Sequence, residues 1–132
     1  MILGLGTDLA LVAFWSEALT DPTTSVIEGT FTEQELMDAK QGPTPVAECL
    51  AARFAAKEAF IKAIGGARFG MPPVIGRLEP MDIEVLRDNW GRPKLKLHGA
   101  AQALATRFGV TQTFVSMTHE GTMAAATVVL ES

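Results

Sequence analysis

Apolar runs with two different spacings divide the first part of the chain. Residues 2–7 (ILGLGT) predict a short buried strand that ends in small residues. Residues 9–19 (LALVAFWSEAL) are apolar enough to predict a buried helix, for which Thr7 or Asp8 would be the N-cap. A loop rich in Asp, Pro and Thr follows over residues 20–26.

Signals at helix ends mark two further helices. Thr32 and Glu35 have the spacing of a capping box, which predicts a short helix over residues 33–39. The longest predicted helix runs from about Val46 to Ile64. It is expected to end at the Gly65–Gly66 pair, because glycine commonly terminates helices.

Strands are predicted mainly in the second half of the chain. Residues 82–87 and 94–98 alternate apolar and polar side chains around an NWGRP turn and predict a β-hairpin. Residues 99–108 predict a helix. Residues 112–118 and 122–130 predict a closing pair of strands.

The order βα, α, α, ββ, α, ββ predicts a single domain over residues 1–132. Its fold class would be α+β, with a mainly antiparallel sheet packed against the long helix. Residues 67–80 contain two adjacent prolines and predict an irregular loop that could cover a ligand.

Composition and charge narrow the function classes. Hydrophobic residues make up 48% of the 132, which in so small a chain favours an oligomer that buries the remaining apolar surface. The net charge of −4 argues against a nucleic-acid-binding protein. No apolar run approaches the roughly 20 residues that span a membrane, and no basic leader opens the chain. The single Cys49 reads as a packed thiol and fits a reducing compartment, so we expect a cytoplasmic protein.

The segment AARFAAKEAFIKAIGG (residues 51–66) carries the main candidate chemistry. At about 100° per residue, Glu58 and Lys62 lie roughly 40° apart on one helix face. Ala51 and Ala55 share that stripe, so the face would leave space for a ligand above an acid and a base. An ordinary surface pair between Glu58 and Lys62, worth about 0.2–0.5 kcal/mol, remains the alternative.

Further charges extend this candidate site. Arg53 and Lys57 occupy a neighbouring stripe, and a helix with three cations and one acid fits a polyphosphate site with a bridging Mg2+. Asp8 is the second carboxylate of interest. If the first strand runs beside the long helix, Asp8 and Glu58 could converge on Mg2+; otherwise Asp8 is a helix N-cap.

Two histidines receive different interpretations. His119, predicted at a tight turn between two strands, is either a surface turn residue or a group that binds phosphate or orients a nucleophile, as the neighbouring Thr118 also could. His98, at the end of a predicted strand, is expected to be structural.

In this order and spacing, the segments closely resemble holo-(acyl-carrier-protein) synthase, the short trimeric class of 4′-phosphopantetheinyl transferases. The resemblance covers nearly the whole chain. The matching segments are GLGTDL (4–9), FTEQEL (31–36), ARFAAKEAFIKAIG (52–65), DIEV (82–85), NWGRP (89–93) and SMTHEGTMAAATVVL (116–130).

The resemblance implies a Mg2+-dependent enzyme that transfers 4′-phosphopantetheine from coenzyme A to a serine of an acyl carrier protein. It further implies a homotrimer in which two chains hold each coenzyme A. Asp8 and Glu58 would bind Mg2+, and Glu58, Asp8, Lys62 and His119 would carry the catalysis. The implied coenzyme A contacts are Arg53, Lys57, Lys62, Gly65, Gly66, Arg92, Thr118 and His119.

Two departures from the family pattern resemble its actinobacterial branch. Leu11 and Phe14 replace an acid and an arginine that helps to dock the acidic carrier protein, and residues 67–80 are longer than in the short forms. The acceptor in that branch is often a carrier domain of a type I fatty acid synthase. The alternatives are a non-catalytic trimeric module that binds coenzyme A or nucleotides, and a structural assembly protein whose alanine faces pack a trimer.

Overall fold

The fold is seen in a computed structural model that describes residues 1–74 and 78–132. The helices and strands follow one another along the chain in nearly the predicted order. The helices are α1 (Val12–Thr20), α2 (Val26–Thr30), α3 (Glu33–Gln41), α4 (Val46–Gly66) and α5 (Gly99–Arg107), with a 3₁₀ turn at Pro80–Asp82. The strands are β1 (Ile2–Leu11), β2 (Ile83–Arg87), β3 (Pro93–Leu97), β4 (Gln112–Glu120) and β5 (Met123–Glu131).

The strands of the described residues form two antiparallel sheets. One sheet has the order β1-β5-β4, with the central β5 paired to both neighbours. The other is the β2-β3 hairpin. Helix α4 packs along the three-stranded sheet and is the centre of the core. The predicted α+β class with a mainly antiparallel sheet and one long helix is therefore confirmed.

The first strand is longer than predicted. β1 continues to Leu11, so residues 9–11 are extended rather than helical, and neither Thr7 nor Asp8 caps α1. Asp8 lies in mid-strand opposite Ala126, and the pairing with β5 runs to Leu11. The partner strand supplies backbone hydrogen bonds that a local reading cannot include, and these override the helical appearance of the apolar run.

Several boundaries differ by a few residues from the predictions. Strand β4 reaches Glu120, so His119 lies in the strand and the turn follows at 121–122. Helix α4 includes Gly65 and Gly66, since the amide of Ala67 still donates to the carbonyl of Ala63 at 3.1 Å. The short α2 was not predicted because it has neither a side-chain cap nor a long apolar stripe.

The predicted capping box at Thr32 is confirmed. The Glu35 amide donates to the Thr32 hydroxyl at 3.2 Å, and the Thr32 amide donates to the Glu35 carboxylate at 3.0 Å. The hairpin and α5 also form where predicted. Of the predicted irregular segment 67–80, residues 75–77 lie outside the described part of the chain.

Small residues allow β1 to lie unusually close to α4. Gly4 faces the carbonyl of Ala63, and Gly6 faces the carbonyl of Ala59. A Cβ atom on either glycine would overlap these backbone atoms, so the close approach requires glycine at both positions. Ala59 and Ala63 share one stripe of α4 with Ala52 and Ala56, and all four alanines are buried.

We expect Gly6→Ala to lower the free energy of unfolding by at least about 1–3 kcal/mol, because β1 must move away from α4 to make room. Urea denaturation at a fixed protein concentration measures the change. Gly29→Ala is the matched control, because an added methyl group there meets no atom within 4 Å and replaces glycine inside a helix. Equal midpoints for the two variants would contradict the packing argument.

Candidate active site

Asp8 and Lys62 form an ion pair at the edge of the contact between β1 and α4. The Lys62 ammonium lies 2.8 Å from Asp8 Oδ1 and donates to the carbonyl of Thr7 at 3.1 Å. Asp8 faces α4 because it follows Gly6 by two residues, and side chains two apart on a strand share a face. Glu58 precedes Lys62 by one turn of α4, so the helix places both on one face.

The Asp8–Lys62 pair contributes little to folding stability, so its charges are available to a charged ligand. The Asp8–Lys62 pair is partly exposed, and such pairs contribute only about 0–1 kcal/mol to folding. Nowhere in residues 1–74 and 78–132 do three Asp, Glu, His or Cys side chains gather as a complete metal site. Two carboxylates nevertheless fit Mg2+, which protein sites commonly bind through one or two carboxylates together with substrate phosphates.

A cavity of about 750 Å3 lies beside Glu58, and we call it the Glu58 cavity. Its walls are mainly apolar and include Ile61, Ile64 and Leu104. Of the glycine pair predicted to contact coenzyme A, Gly65 is one of the residues that line it and Gly66 is not. The cavity can therefore hold a long, largely neutral ligand chain, and the Glu58 carboxylate lies at the edge of the cavity.

Arg68 lines the Glu58 cavity and is a candidate that the sequence did not single out. Its guanidinium lies 4.5 Å from the centre of the Phe108 ring and donates to the carbonyl of Pro72 at 2.7 Å. The available signal was a cation soon after the glycine pair, within the segment predicted to cover a ligand.

The prediction that the Glu58 face of α4 is open to a ligand is partly wrong. Ala51 and Ala55 are fully buried, so they belong to the core and leave no space for a ligand. The open part of that stripe begins only at Glu58, where α4 passes the Glu58 cavity.

A second cavity, of about 450 Å3, lies between the start of α4, the β2-β3 turn and β4. We call it the Arg53 cavity. Arg53 and His119 both line it, although they are 66 positions apart in the sequence, and Asn89 and Trp90 of the NWGRP turn line it as well. The structure thus brings two of the predicted coenzyme A contacts, Arg53 and His119, to one cavity.

Arg53 gives the Arg53 cavity a buried positive charge. Only 5% of the residue is exposed, and Nη1 donates to the carbonyl of Cys49 at 3.4 Å. Its Nε has no hydrogen-bond partner among the residues described. Buried donors are normally satisfied, so this unpaired nitrogen is an exception that the contacts within the described residues do not explain. The His119 Nδ1 lies 3.2 Å from the Glu48 carboxylate, which orients the ring.

Lys57 does not belong to this site. Its ammonium is 1% exposed and donates to the Glu35 carboxylate at 2.8 Å and to the carbonyls of Pro80 and Ile83 at 2.9 and 2.8 Å. Three acceptors use all three of its protons. Burial lowers the pKa of Lys57, although Glu35 beside it acts in the opposite direction. The predicted coenzyme A contact is therefore replaced by a structural clamp.

A second buried carboxylate continues this internal network. Glu84 accepts from the Thr32 hydroxyl at 2.6 Å and pairs with His98 Nε2 at 3.0 Å. Burial raises the pKa of Glu84, but these two hydrogen bonds, together with the nearby charges of His98 and Lys96, hold that pKa below its ordinary value. The structural role predicted for His98 agrees with this contact.

Thr118 and Arg92 stand apart from the Arg53 cavity. Successive residues of a strand point to opposite faces, so Thr118 lies on the outer face of the sheet while His119 lies on the face toward α4. The Arg92 guanidinium pairs with Asp88, its Nε lying 2.6 Å from Oδ2, and sits over the Trp90 ring. Within one subunit, neither side chain reaches the site that the sequence assigned to it.

The comparison with protein families decides the classification. A model of the 4′-phosphopantetheinyl transferase superfamily matches residues 4–128. The chain belongs to this superfamily. The match begins in β1 and ends in β5, so it includes both cavities and the Asp8–Lys62 corner.

Named members of the superfamily are similar over their whole length. The holo-[acyl-carrier-protein] synthase of Mycobacterium tuberculosis is 44% identical over 131 residues, covering 99% of this chain and 98% of that protein. The corresponding protein of Nocardia farcinica is 42% identical and covers 98% of this chain and 88% of that protein. These relatives confirm the predicted resemblance to the actinobacterial branch.

Solved structures of the superfamily have the same fold. The acyl carrier protein synthase of Mycobacterium tuberculosis superposes with a TM-score of 0.76 at 41% identity, covering 100% of this chain and 99% of that one. A Chronobacterium ammoniagenes ACPS–CoA complex superposes with a TM-score of 0.83 at 36% identity, covering 96% and 95% of the two chains.

We expect Lys57→Met to lower the free energy of unfolding by about 3–5 kcal/mol, because it leaves the buried Glu35 carboxylate without its cation. Lys40→Met is the control: Lys40 is exposed in α3, where loss of a charge changes stability by less than about 0.5 kcal/mol. Thermal denaturation compares the two. Similar small losses for both would return Lys57 to the list of possible ligand contacts.

Proposed function

We propose that this chain transfers the 4′-phosphopantetheine group of coenzyme A to a serine of an acyl carrier protein and releases 3′,5′-ADP. The observation that carries the proposal is the Asp8–Lys62 pair, one helical turn from Glu58 and the Glu58 cavity. The holo-[acyl-carrier-protein] synthase relatives and the ACPS–CoA complex support the same reaction. A substrate with a pyrophosphate and one long neutral arm fits two acids, one cation and an apolar cavity.

The two cavities face different sides of α4. Arg53 and Glu58 are five residues apart, which is about 140° around a helix. This placement supports a coenzyme A that is held by two chains. We assign its nucleotide to the Arg53 cavity of one subunit, and its pyrophosphate and arm to the acids and the Glu58 cavity of a neighbour.

The outer face of the three-stranded sheet supports a homotrimer. Its side chains form cross-strand rows, of which Leu5–Val129–Phe114 is apolar and Thr7–Thr127–Ser116 carries hydroxyl groups. Leu9 in the next row is 66% exposed. The middle rows of this face are uncharged, with Glu120 and Glu131 only at its two ends, and no described helix covers it. Such a face fits further copies of the same chain, which would bury it in a closed oligomer.

The proposed reaction relies on charge neutralisation and positioning. Asp8 and Glu58 would hold Mg2+ together with pyrophosphate oxygens. The ion would offset the negative charge of the two carboxylates and of the pyrophosphate. Lys62 turns its ammonium from Asp8 toward the phosphates. Glu58 takes the proton of the acceptor serine, directly or through water. The serine oxygen bonds to the β-phosphorus while the bond from that phosphorus to the bridging oxygen breaks, and 3′,5′-ADP leaves with that oxygen.

Recognition of the acceptor differs from the family pattern. Helix α1 exposes Phe14 where that pattern has an arginine, and Glu17 is the only charged residue of α1. We propose that a carrier protein or a carrier domain of a type I fatty acid synthase docks mainly through apolar contacts there.

We place the reaction in the cytoplasm. No described helix is long and apolar enough to cross a bilayer.

One experiment separates the proposed enzyme from a module that only binds coenzyme A. Intact-mass spectrometry of an apo carrier domain, with coenzyme A and Mg2+, detects the addition of one phosphopantetheine group. A binding module would gain thermal stability from the same ligands without changing the mass of the carrier. An unchanged carrier mass, with both free and synthase-embedded carrier domains, would refute the transferase proposal.

We expect Glu58→Gln and Asp8→Asn to reduce turnover by about 10²–10⁴-fold, because each keeps the side-chain volume but removes a charge that holds the ion or accepts the proton. The rate of the carrier mass change is the measurement. Glu33→Gln, at an exposed position of α3 away from the proposed docking helix, is the control and should retain full activity. A Glu58→Gln enzyme within a few-fold of wild type would remove that residue from the mechanism.

We also expect Leu9→Glu to dissociate the trimer, because it places a carboxylate in the uncharged middle rows of this sheet face. Light scattering after size-exclusion chromatography gives the mass of the particle. Met37→Glu is the matched control, since Met37 is 53% exposed on α3, away from that face. A wild-type monomer, or a Leu9→Glu variant of unchanged mass, would contradict the proposed interface.

A further inference from the structure

Lys57 and Glu58 are neighbours in the sequence, but their side chains lie in different surroundings. Glu58 lines the Glu58 cavity, whereas the Lys57 ammonium is 1% exposed and is enclosed by protein groups. Successive residues of a helix point about 100° apart, so one turn of α4 can supply both a cavity wall and an interior contact. A change at Lys57 can therefore act on the cavity without touching its ligand.

The ammonium of Lys57 ties this turn of α4 to a wall of the cavity that another part of the chain supplies. It donates to the carbonyl of Pro80 at 2.9 Å and to the carbonyl of Ile83 at 2.8 Å. Pro80 lines the Glu58 cavity and begins the 3₁₀ turn that leads into β2. The position of Pro80 is thus set relative to the helix that carries Glu58.

The rest of this turn is held from another direction. The His98 amide donates to the carbonyl of Asp82 at 2.8 Å, which ties the turn to the start of α5 rather than to α4. Lys57 provides the tie to α4, and its burial keeps water from competing for the two carbonyls. The distance between the Glu58 helix and the Pro80 wall therefore depends on Lys57.

We propose that Lys57 is a positioning residue for the arm of the substrate, because its bond to Pro80 sets the width of the Glu58 cavity. The inference rests on the proposed function, since it takes the phosphopantetheine arm to be the ligand of this cavity. An apolar cavity holds such an arm by close packing. A gap of about 0.5–1 Å already forfeits a quarter to a half of each contact, so a displaced wall weakens binding of the arm.

A purely structural clamp would behave differently, and the partner of Lys57 separates the two roles. Glu35 pairs with Lys57 but does not bind Pro80. Glu35→Gln removes the buried anion and leaves the tie to Pro80 in place. Even if Lys57 then loses a proton, its amine keeps two protons for the two carbonyls. Lys57→Met, in contrast, removes the tie itself.

The test compares three variants: Glu35→Gln, Lys57→Met, and the two changes together. The double variant leaves no unpaired buried charge, so it should fold even if Lys57→Met alone does not. It differs from Glu35→Gln only in the tie to Pro80. Calorimetry measures the affinity for coenzyme A with Mg2+, and for 3′-phosphoadenosine 5′-diphosphate, which has the nucleotide and two linked phosphates but no arm.

We expect the double variant to bind coenzyme A at least about tenfold more weakly than Glu35→Gln does. The affinities of these two variants for 3′-phosphoadenosine 5′-diphosphate should agree within about twofold, because this ligand does not enter the Glu58 cavity. Lys57→Met, where it folds, should show the same selective loss. Wild-type protein should prefer coenzyme A to the ligand without the arm.

Two results would overturn the inference. One is equal affinity of the double variant and Glu35→Gln for coenzyme A, and the other is an equal loss for both ligands, which would make Lys57 a stabilising residue only. Failure of the proposed function has a separate signature. Wild-type protein that gains affinity from the arm but leaves the mass of the carrier unchanged would refute the transferase and leave the role of Lys57 standing.

Discussion

The close contact of β1 with α4 is the constraint on which the candidate site depends. Gly4 and Gly6 have no Cβ atom, so the strand can lie directly against the carbonyls of Ala63 and Ala59. The two-residue period of the strand then puts Asp8 on the same side as the glycines. From there its carboxylate reaches Lys62, one turn after Glu58. A wider gap between strand and helix would take Asp8 away from Lys62 and from this corner.

The cations of α4 have three different roles, although they share one helix. Lys57 is enclosed by Glu35 and two carbonyl groups, and it joins α3 and β2 to the centre of the fold. Arg53 is also buried, but it lines the Arg53 cavity. Lys62 stays at the surface beside Asp8. Of the three cations on this helix, Lys57 is therefore structural, and Arg53 and Lys62 are the two candidates for phosphate contacts.

Local signals in the sequence predicted much of the fold, whereas non-local contacts explain the differences. The capping box at Thr32 and the hairpin around NWGRP are written in short segments, and both form as expected. The burial of Lys57 depends on a partner 22 positions away, and the length of β1 depends on its pairing with β5. The separation of Thr118 from His119 follows from strand alternation, once His119 is known to lie in β4 rather than in a turn. The spacing of residues in the sequence alone could not show that Thr118 and His119 point to opposite faces of the sheet.

A crystal structure of the protein with coenzyme A and Mg2+ bound would test the central claim most directly. If β1 brings Asp8 to the acid of α4 for catalysis, one carboxylate oxygen from Asp8 and one from Glu58 will lie about 2.0–2.1 Å from the same ion. The Lys62 ammonium will then contact a phosphate rather than Asp8 alone. An ion bound by only one of these acids, or coenzyme A bound away from both, would contradict the account.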